Sequence, residues 1–189
     1  MNEDDRDRII AYSDASFSDD YATGRSTNGV IIKINGGPVI WKSVCMQFVV
    51  TSSTHAEYAA MSEAVFSIGY ARGILCDLVN ATKLENIQVL NTDDKALDNV
   101  QNACKSDDPA VELRVDNLAA IHIGTHDVSS KRSRHINMRF MCVREAVLGN
   151  VIYLIWVSTE DQVADILTKC LGVSQFKRIR DMVLIERKI

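Results

Sequence analysis

Apolar and polar positions along the chain follow two periods, and the switches between them mark the elements. Ile9-Ile10-Ala11-Tyr12-Ser13-Asp14-Ala15-Ser16-Phe17 sets β-branched residues and an aromatic ahead of an aspartate, the pattern of a buried strand carrying a carboxylate part-way along it. Ser18 to Ser26 is rich in Asp, Ser and Gly and reads as a loop. Thr27 to Ile34 is a second strand. Asn35-Gly36 then supplies the positive φ angles of a type I′ hairpin turn. Pro38 to Lys42 returns as a third strand running on towards Val50. A long helix follows, capped by Ser52, Ser53 or Thr54, because Ala60, Ala64, Ile68, Ala71, Leu75 and Leu78 recur at helical spacing. Gly69 and Gly73 are places where it can kink. Val111 to Val115 alternates apolar with charged residues as a strand, and Asn117 to Gly124 is a short helix. A helix from about Ile136 to Leu148 ends at Gly149, a C′ glycine. Val151 to Val157 is a strongly apolar strand. Thr159 to Cys170 reads as a helix opened by a Thr159/Gln162 capping box, and Ser174 to about Glu186 as a last amphipathic helix. The order β-β-β-α-β-α-α-β-α-α predicts an α/β protein, a mixed sheet with helices packed on it and no internal repeat.

The segment from Asn80 to Pro109 is polar and acidic, with room for one short helix between Lys95 and Cys104. Loops of that length are uncommon in compact domains. We therefore expect one domain over residues 1–189, with a mobile insertion at about 81–110.

Bulk properties narrow the class. The 189 residues are 47% apolar and 24% charged, enough for one domain with a real core. The formal charge of −4 does not announce a nucleic-acid partner, so such a partner has to be argued from local patches. The one concentrated basic stretch is Ser129-Ser130-Lys131-Arg132-Ser133-Arg134-His135. No apolar run has the length of a membrane span, and the charged N-terminus lacks the apolar core of a signal peptide. The five cysteines are scattered without a Cys-x-x-Cys, which favours free thiols in a reducing, intracellular setting. Met1 stands close to strand one, as expected for an excised fragment or a free-standing gene product.

Four separated acids each stand against an apolar run: Asp14, Glu57, Asp116 and Asp165. Burying a carboxylate is costly unless something pairs with it. Four that a fold could bring together would make a hard-oxygen site suited to Mg²⁺ or Mn²⁺. Each also has an ordinary reading. Asp14 can open a loop, Glu57 can complete a capping box with Thr54, and Asp116 can cap a helix. On periodicity alone Asp165 points away from the stripe of Val163, Ile166, Leu167 and Cys170, towards solvent. Glu57 departs from its ordinary reading, since it heads the apolar face of Met61, Ala64 and Ile68. His122 and His126, four apart, could chelate a metal, but surface or packing histidines are commoner.

The combination of motifs resembles the RNase H domain of copia-type LTR retrotransposons. Tyr12-Ser13-Asp14-Ala15 looks like that family's opening motif, and Arg25-Ser26-Thr27-Asn28-Gly29 resembles its Arg-Ser-Thr-Ser-Gly. Ser52-Ser53-Thr54-His55-Ala56-Glu57-Tyr58 resembles Ser-Ser-Thr-Glu-Ala-Glu-Tyr. Val115-Asp116-Asn117-Leu118-Ala119-Ala120-Ile121 is similar to Cys-Asp-Asn-Gln-Ser-Ala-Ile, and Arg134-His135-Ile136-Asn137-Met138-Arg139-Phe140 to Lys-His-Ile-Asp-Ile-Arg-Tyr. Thr159 to Lys169 matches almost letter for letter, and order and spacing hold from Tyr12 to about Arg180. The departures are Leu118 for Gln, Asn137 for Asp, His55 for Glu, and a longer segment between Asn80 and Pro109.

The resemblance implies an RNase H-like fold, a five-stranded mixed sheet in the order 3-2-1-4-5 with strand two antiparallel to its neighbours. It implies that Asp14, Glu57, Asp116 and Asp165 are catalytic and hold two Mg²⁺ ions, with Mn²⁺ able to substitute. Two metals about 4 Å apart can activate water on one side of a phosphodiester and stabilise the leaving oxygen on the other, so no protein nucleophile is needed. The 2′-hydroxyl distinguishes RNA from DNA, and Ser53, Thr54 and Asn117 are candidates to read it. Arg25, Ser26, Lys131, Arg132, Arg134 and His135 complete the substrate-binding set. Many cellular type I enzymes place a histidine ahead of the last acid; none stands between Trp156 and Glu160, and Asp161 is the candidate for its role.

The expected activity is metal-dependent hydrolysis of the RNA strand of an RNA–DNA hybrid. The expected setting is intracellular, with a reverse-transcriptase domain in cis or in trans as partner and no membrane. A catalytically silent nucleic-acid- or protein-binding module is the alternative, against which the four intact acids count. An integrase or resolvase would place its acids differently.

Overall fold

The computed structural model describes residues 9–87, 109–126 and 141–184, with the backbone alone for 79–87. The expected helix between Lys95 and Cys104 and the basic loop around Lys131 lie outside the described residues. Within them, one sheet has the order β3-β2-β1-β4-β5. Its strands are β1 (Ile9–Asp20), β2 (Arg25–Ile34), β3 (Gly37–Cys45), β4 (Val111–Val115) and β5 (Ile152–Trp156). Strand β2 is antiparallel to both neighbours, whereas β1, β4 and β5 run parallel. This is the mixed five-stranded topology expected from the sequence.

Strand β1 is buried on both faces, which explains its near-continuous apolar run. Successive side chains point to opposite faces. Ala11 and Ala15 enter the larger core with Val30, Ile32 and Leu113. Tyr12 enters the smaller core with Ile31, Val163, Ala164 and Ile179. The larger core is covered by α1 (Ser53–Ile87), the smaller by the turn Val163–Leu167 and by α4 (Val173–Val183). Helices α2 (Leu118–Thr125) and α3 (Met141–Leu148) complete the described elements.

Several boundaries differ from the sequence reading, each for a local reason. Strands β1 and β2 continue past the expected loop to the pair Asp20↔Arg25, after a register shift beyond Ser16. There Ser18 has φ 53°, and its N–H donates to Ser26 Oγ at 2.9 Å. The β2–β3 turn forms as expected, with Asn35 at φ 52° and Gly36 at φ 78°. Strand β3 stops at Cys45, short of Val50. Ser52 is the cap of α1, its hydroxyl accepting from His55 N–H at 3.2 Å. The helix runs unbroken through Gly69 and Gly73 to Ile87, so the expected insertion begins with helix rather than loop. At 1.5 Å per residue α1 is about 52 Å long, longer than the strands beneath it. Its Ala60, Ala64, Ile68 and Ala71 are accordingly buried while Leu78, further on, is exposed. At the end of α3 the left-handed residue is Asn150, at φ 54°, rather than Gly149; asparagine tolerates that position too.

The largest correction concerns Thr159 to Cys170. It is not one α-helix but two 3₁₀ turns, Thr159–Asp161 and Val163–Leu167. Gln162 does not serve a capping box. It is fully buried, its Nε2 donates to the Ser13 carbonyl at 2.9 Å, and its Oε1 accepts from Ala164 N–H at 3.3 Å. A side chain tied to the central strand pins the segment against the sheet. The cysteine reading also changes. Cys45, Cys142 and Cys170 lie outside any disulfide, but Cys76 is disulfide-bonded. An odd count without Cys-x-x-Cys leaves room for a bridge, because spacing in sequence does not reveal which thiols meet.

Candidate functional site

Three of the four acids converge from three elements. Asp14 lies within β1, Asp116 follows the last residue of β4, and Asp165 sits in the second 3₁₀ turn. One carboxylate oxygen of each lies within 4.8 Å of the others. Asp14 is 0% and Asp165 1% exposed, so Asp165 is the reverse of the solvent-facing residue that helical periodicity assigned it. A 3₁₀ turn rotates each residue by about 120° rather than 100°, and the Gln162 anchor sets which side meets the sheet.

Glycine at position 29 lets the turn come this close. Gly29 pairs with Asp14 across β1–β2. A Cβ there would lie 2.6 Å from Thr168 Cγ2, 3.0 Å from the Ala164 carbonyl and 3.2 Å from Leu167 Cβ. The backbone carbonyl cannot swing aside as a flexible side chain would, so any larger residue pushes the Asp165 turn off the sheet.

Glu57 adjoins the three from the second turn of α1, though it is not within the 4.8 Å group. It is 7% exposed, it accepts a hydrogen bond from Ala15 N–H, and its Oε2 has no partner. Burial first, then the charges of Asp14 and Asp116, push its carboxyl up to about 9. Burial likewise raises Asp165 to about 6, against the pull of Lys169. Asp116 is raised by burial and by Asp14. Two full negative charges 4.8 Å apart repel by roughly 3 kcal/mol at an effective dielectric of about 20. What offsets this on the protein side is one ammonium and two hydroxyls. Lys169 Nζ lies 3.1 Å from Asp14 Oδ1 and 2.8 Å from Asp165 Oδ1. Thr168 donates to Asp14 Oδ2, and Thr159 donates to Asp116 Oδ2 at 3.2 Å. A set of hard oxygen donors, buried apart from the half-buried Asp116 and with one oxygen of Glu57 orphaned, fits a divalent cation of the Mg²⁺ or Mn²⁺ type.

The remaining sequence candidates divide by position. Ser53 and Thr54 stand four and three residues before Glu57, on the same side of the helix. Asn117 caps α2, its Oδ1 accepting from Ala120 N–H at 2.9 Å, which leaves its amide N–H groups to donate elsewhere. Ser26 is fully buried and its hydroxyl accepts from Ser18 N–H, which supports the β1–β2 hairpin. Arg25 pairs with Asp20, six residues along β1 from Asp14 and beyond the register shift. Lys131, Arg132, Arg134 and His135 lie outside the described residues. Asp161 is engaged by Ser158 Oγ at 2.8 Å and Arg178 at 2.6 Å. His122 and His126 stack at 4.2 Å, with Thr125 Oγ1 2.8 Å from His126 Nδ1, and the acid trio is the one metal-type cluster among the described residues. Four contributors were missed from sequence: Gly29, Gln162, Thr168 and Lys169. All four lie within the motifs matched above, and Lys169 also has i,i+4 spacing from Asp165.

No protein-family model matches the chain. It is 28% identical over 180 residues to the retrovirus-related Pol polyprotein from transposon RE1 of Arabidopsis thaliana, covering 95% of this chain and 10% of that one. To the corresponding polyprotein from transposon RE2 of the same plant it is 29% identical over 169 residues, covering 89% and 10%. The chain thus spans about a tenth of the length of these relatives. Among solved structures it resembles LC11-RNase H1, crystallised with an RNA/DNA hybrid, with a TM-score of 0.50, 18% identity, and coverage of 85% of this chain and 94% of that one. The homologues of this chain are therefore retrovirus-related Pol polyproteins of transposons, and its fold is that of RNase H domains.

Proposed function

We propose that this chain is the RNase H domain of a copia-type retrotransposon Pol polyprotein, a metal-dependent endonuclease that hydrolyses the RNA strand of RNA–DNA hybrids. The observation that carries the reading is the convergence of Asp14, Asp116 and Asp165 within 4.8 Å, beside a buried Glu57 with an orphaned oxygen. Asp14, Glu57, Asp116 and Asp165 would hold two Mg²⁺ ions. Bound there, the ions supply Lewis-acid activation of water and charge stabilisation at the leaving oxygen.

The chain's own residues do the rest. Asp14, rigid on the central strand, fixes the position of the site relative to the sheet. Thr159 and Thr168 orient the carboxylates of Asp116 and Asp14. Ser53, Thr54 and the free amide of Asn117 would offer donors to a 2′-hydroxyl, which DNA lacks. Arg25 and the basic residues Lys131, Arg132 and Arg134 would contact phosphates along the duplex. A net charge of −4 makes binding by the isolated domain weak. A reverse-transcriptase domain in the same polyprotein would supply hybrid by effective concentration. Such a setting is intracellular. No described helix is long and apolar enough to cross a membrane.

The test is cleavage of an end-labelled RNA–DNA hybrid against duplex DNA and duplex RNA, each with Mg²⁺. RNA-strand products from the hybrid alone are expected. An intact hybrid at high enzyme concentration would overturn the assignment.

A further inference from the structure

Lys169 closes the stretch that carries Asp165, and it touches two of the acids. Its ammonium lies 3.1 Å from Asp14 Oδ1 and 2.8 Å from Asp165 Oδ1. Those acids are closed to solvent, whereas the lysine side chain is 36% exposed and so reaches the cluster from its open side. The backbone of the second 3₁₀ turn sets this reach, since Lys169 N–H donates to the Asp165 carbonyl at 3.0 Å. Both contacts are charge-assisted hydrogen bonds of ordinary length.

A divalent cation of the Mg²⁺ type takes carboxylate oxygens at about 2.0–2.1 Å. It would draw on the oxygens that the ammonium already holds, at a separation where two cations repel strongly. The lysine has somewhere to go, because its four-carbon stem is flexible and its outer side is open. The acids do not, because β1 and the Gln162-anchored turn hold them in place.

We propose that Lys169 is a tethered counter-ion that competes with a divalent cation for Asp14 and Asp165, and so sets the affinity of the site for metal. The inference rests on the metal-site reading above and adds a residue to it. The ammonium holds three mutually repelling carboxylates together through folding, and loading metal requires it to swing outward. Lys169 is thus a positioning residue, whose removal loosens the metal-free protein and tightens metal binding. A merely structural lysine would do the first without the second.

The experiment titrates the full chain with Mg²⁺ and with Mn²⁺ in the absence of nucleic acid, by calorimetry, and melts it in excess chelator. Lys169→Met keeps the stem and removes the charge; Lys169→Gln is the more soluble second variant; Lys169→Arg keeps the charge. Relative to wild type, the Met and Gln variants should bind metal roughly tenfold more tightly or better, about 1.4 kcal/mol, and melt lower in chelator. The Arg variant should stay near wild type in both. Metal affinity that is unchanged or weaker in the neutral variants, with wild type binding normally, overturns the counter-ion role and leaves the metal site standing. If wild type and all variants bind neither cation, the metal-site reading itself falls, and the inference with it.

Discussion

Among the described residues, two glutamates are buried to nearly the same depth, and their surroundings are opposite. Glu112 on β4 is 3% exposed and Glu57 on α1 is 7% exposed. Glu112 Oε1 accepts from Arg114 Nε, and its Oε2 accepts from Tyr153 OH at 3.2 Å. Arg114 in turn donates to Tyr12 OH at 2.6 Å and lies 5.2 Å from the centre of that ring. The network is closed and stitches β1, β4 and β5 together. Glu57 has one backbone donor, one orphaned oxygen and two acids as neighbours. Desolvation penalises both carboxylates. At Glu112 cationic and hydroxyl partners compensate within the fold. At Glu57 the compensation has to come from a proton or from an added cation. A buried acid with its full set of partners is architecture; a buried acid facing other acids is a site.

That contrast can be broken most sharply at Asp14. Asp14→Asn should reduce hybrid cleavage by at least about a thousandfold, equivalent to about 4 kcal/mol in the barrier, with the melting temperature in chelator no lower than wild type. Near-normal cleavage would remove Asp14 from the mechanism. The architectural partner gives the converse. Glu112→Gln should cost about 1–3 kcal/mol of stability by leaving Arg114 without its carboxylate, while cleavage per folded molecule stays within about twofold. Chemical denaturation and specific activity, measured together, separate the two effects.

Gly29→Ala tests whether the Asp165 turn must lie flat on the sheet. The added methyl meets Thr168 Cγ2 at 2.6 Å and the Ala164 carbonyl at 3.0 Å, an overpacking that should cost about 1–3 kcal/mol and weaken Mg²⁺ binding. Unchanged metal affinity would mean that the turn shifts without moving Asp165.

A pH profile sharpens the contrast without any substitution. Glu57 is raised from 4.5 to about 9 and Asp165 from 3.8 to about 6. An acid whose pKa is raised by folding contributes stability that is fully present below its unfolded value and lost as pH rises through its folded value. Without divalent metal, stability should therefore decline from about pH 4 to pH 9, with Asp165 acting up to about 6 and Glu57 acting throughout, alone above 6. Glu57→Gln should flatten the upper part of the decline, and saturating Mg²⁺ should oppose all of it. A metal-free stability that rose between pH 6 and pH 9 would contradict the picture of Glu57 as a carboxyl held neutral by its neighbours.

Much of this molecule was readable from its residues one stretch at a time. The apolar run around Tyr12, the Asn35-Gly36 turn, the alanine-rich face of α1 and the strand from Val111 to Val115 each declare themselves. Backbone hydrogen bonding and one-sided burial impose a period that a short window displays. The four acids were visible too, as charges set against apolar runs. What the sequence could not display was their mutual arrangement. Asp165 looked solvent-facing because helical periodicity was assumed, and only the tether from Gln162 to the Ser13 carbonyl, 149 residues away, fixes the turn and its facing. Gly29 stood in a matched motif, but its role shows only once the turn lies across it. Thr168 and Asp14 meet across 154 residues, and Lys169 and Asp14 across 155. Local propensity constrains none of these pairings, because their energies arise only once the sheet and its covering turn have brought the groups together, out of water and within Coulombic reach.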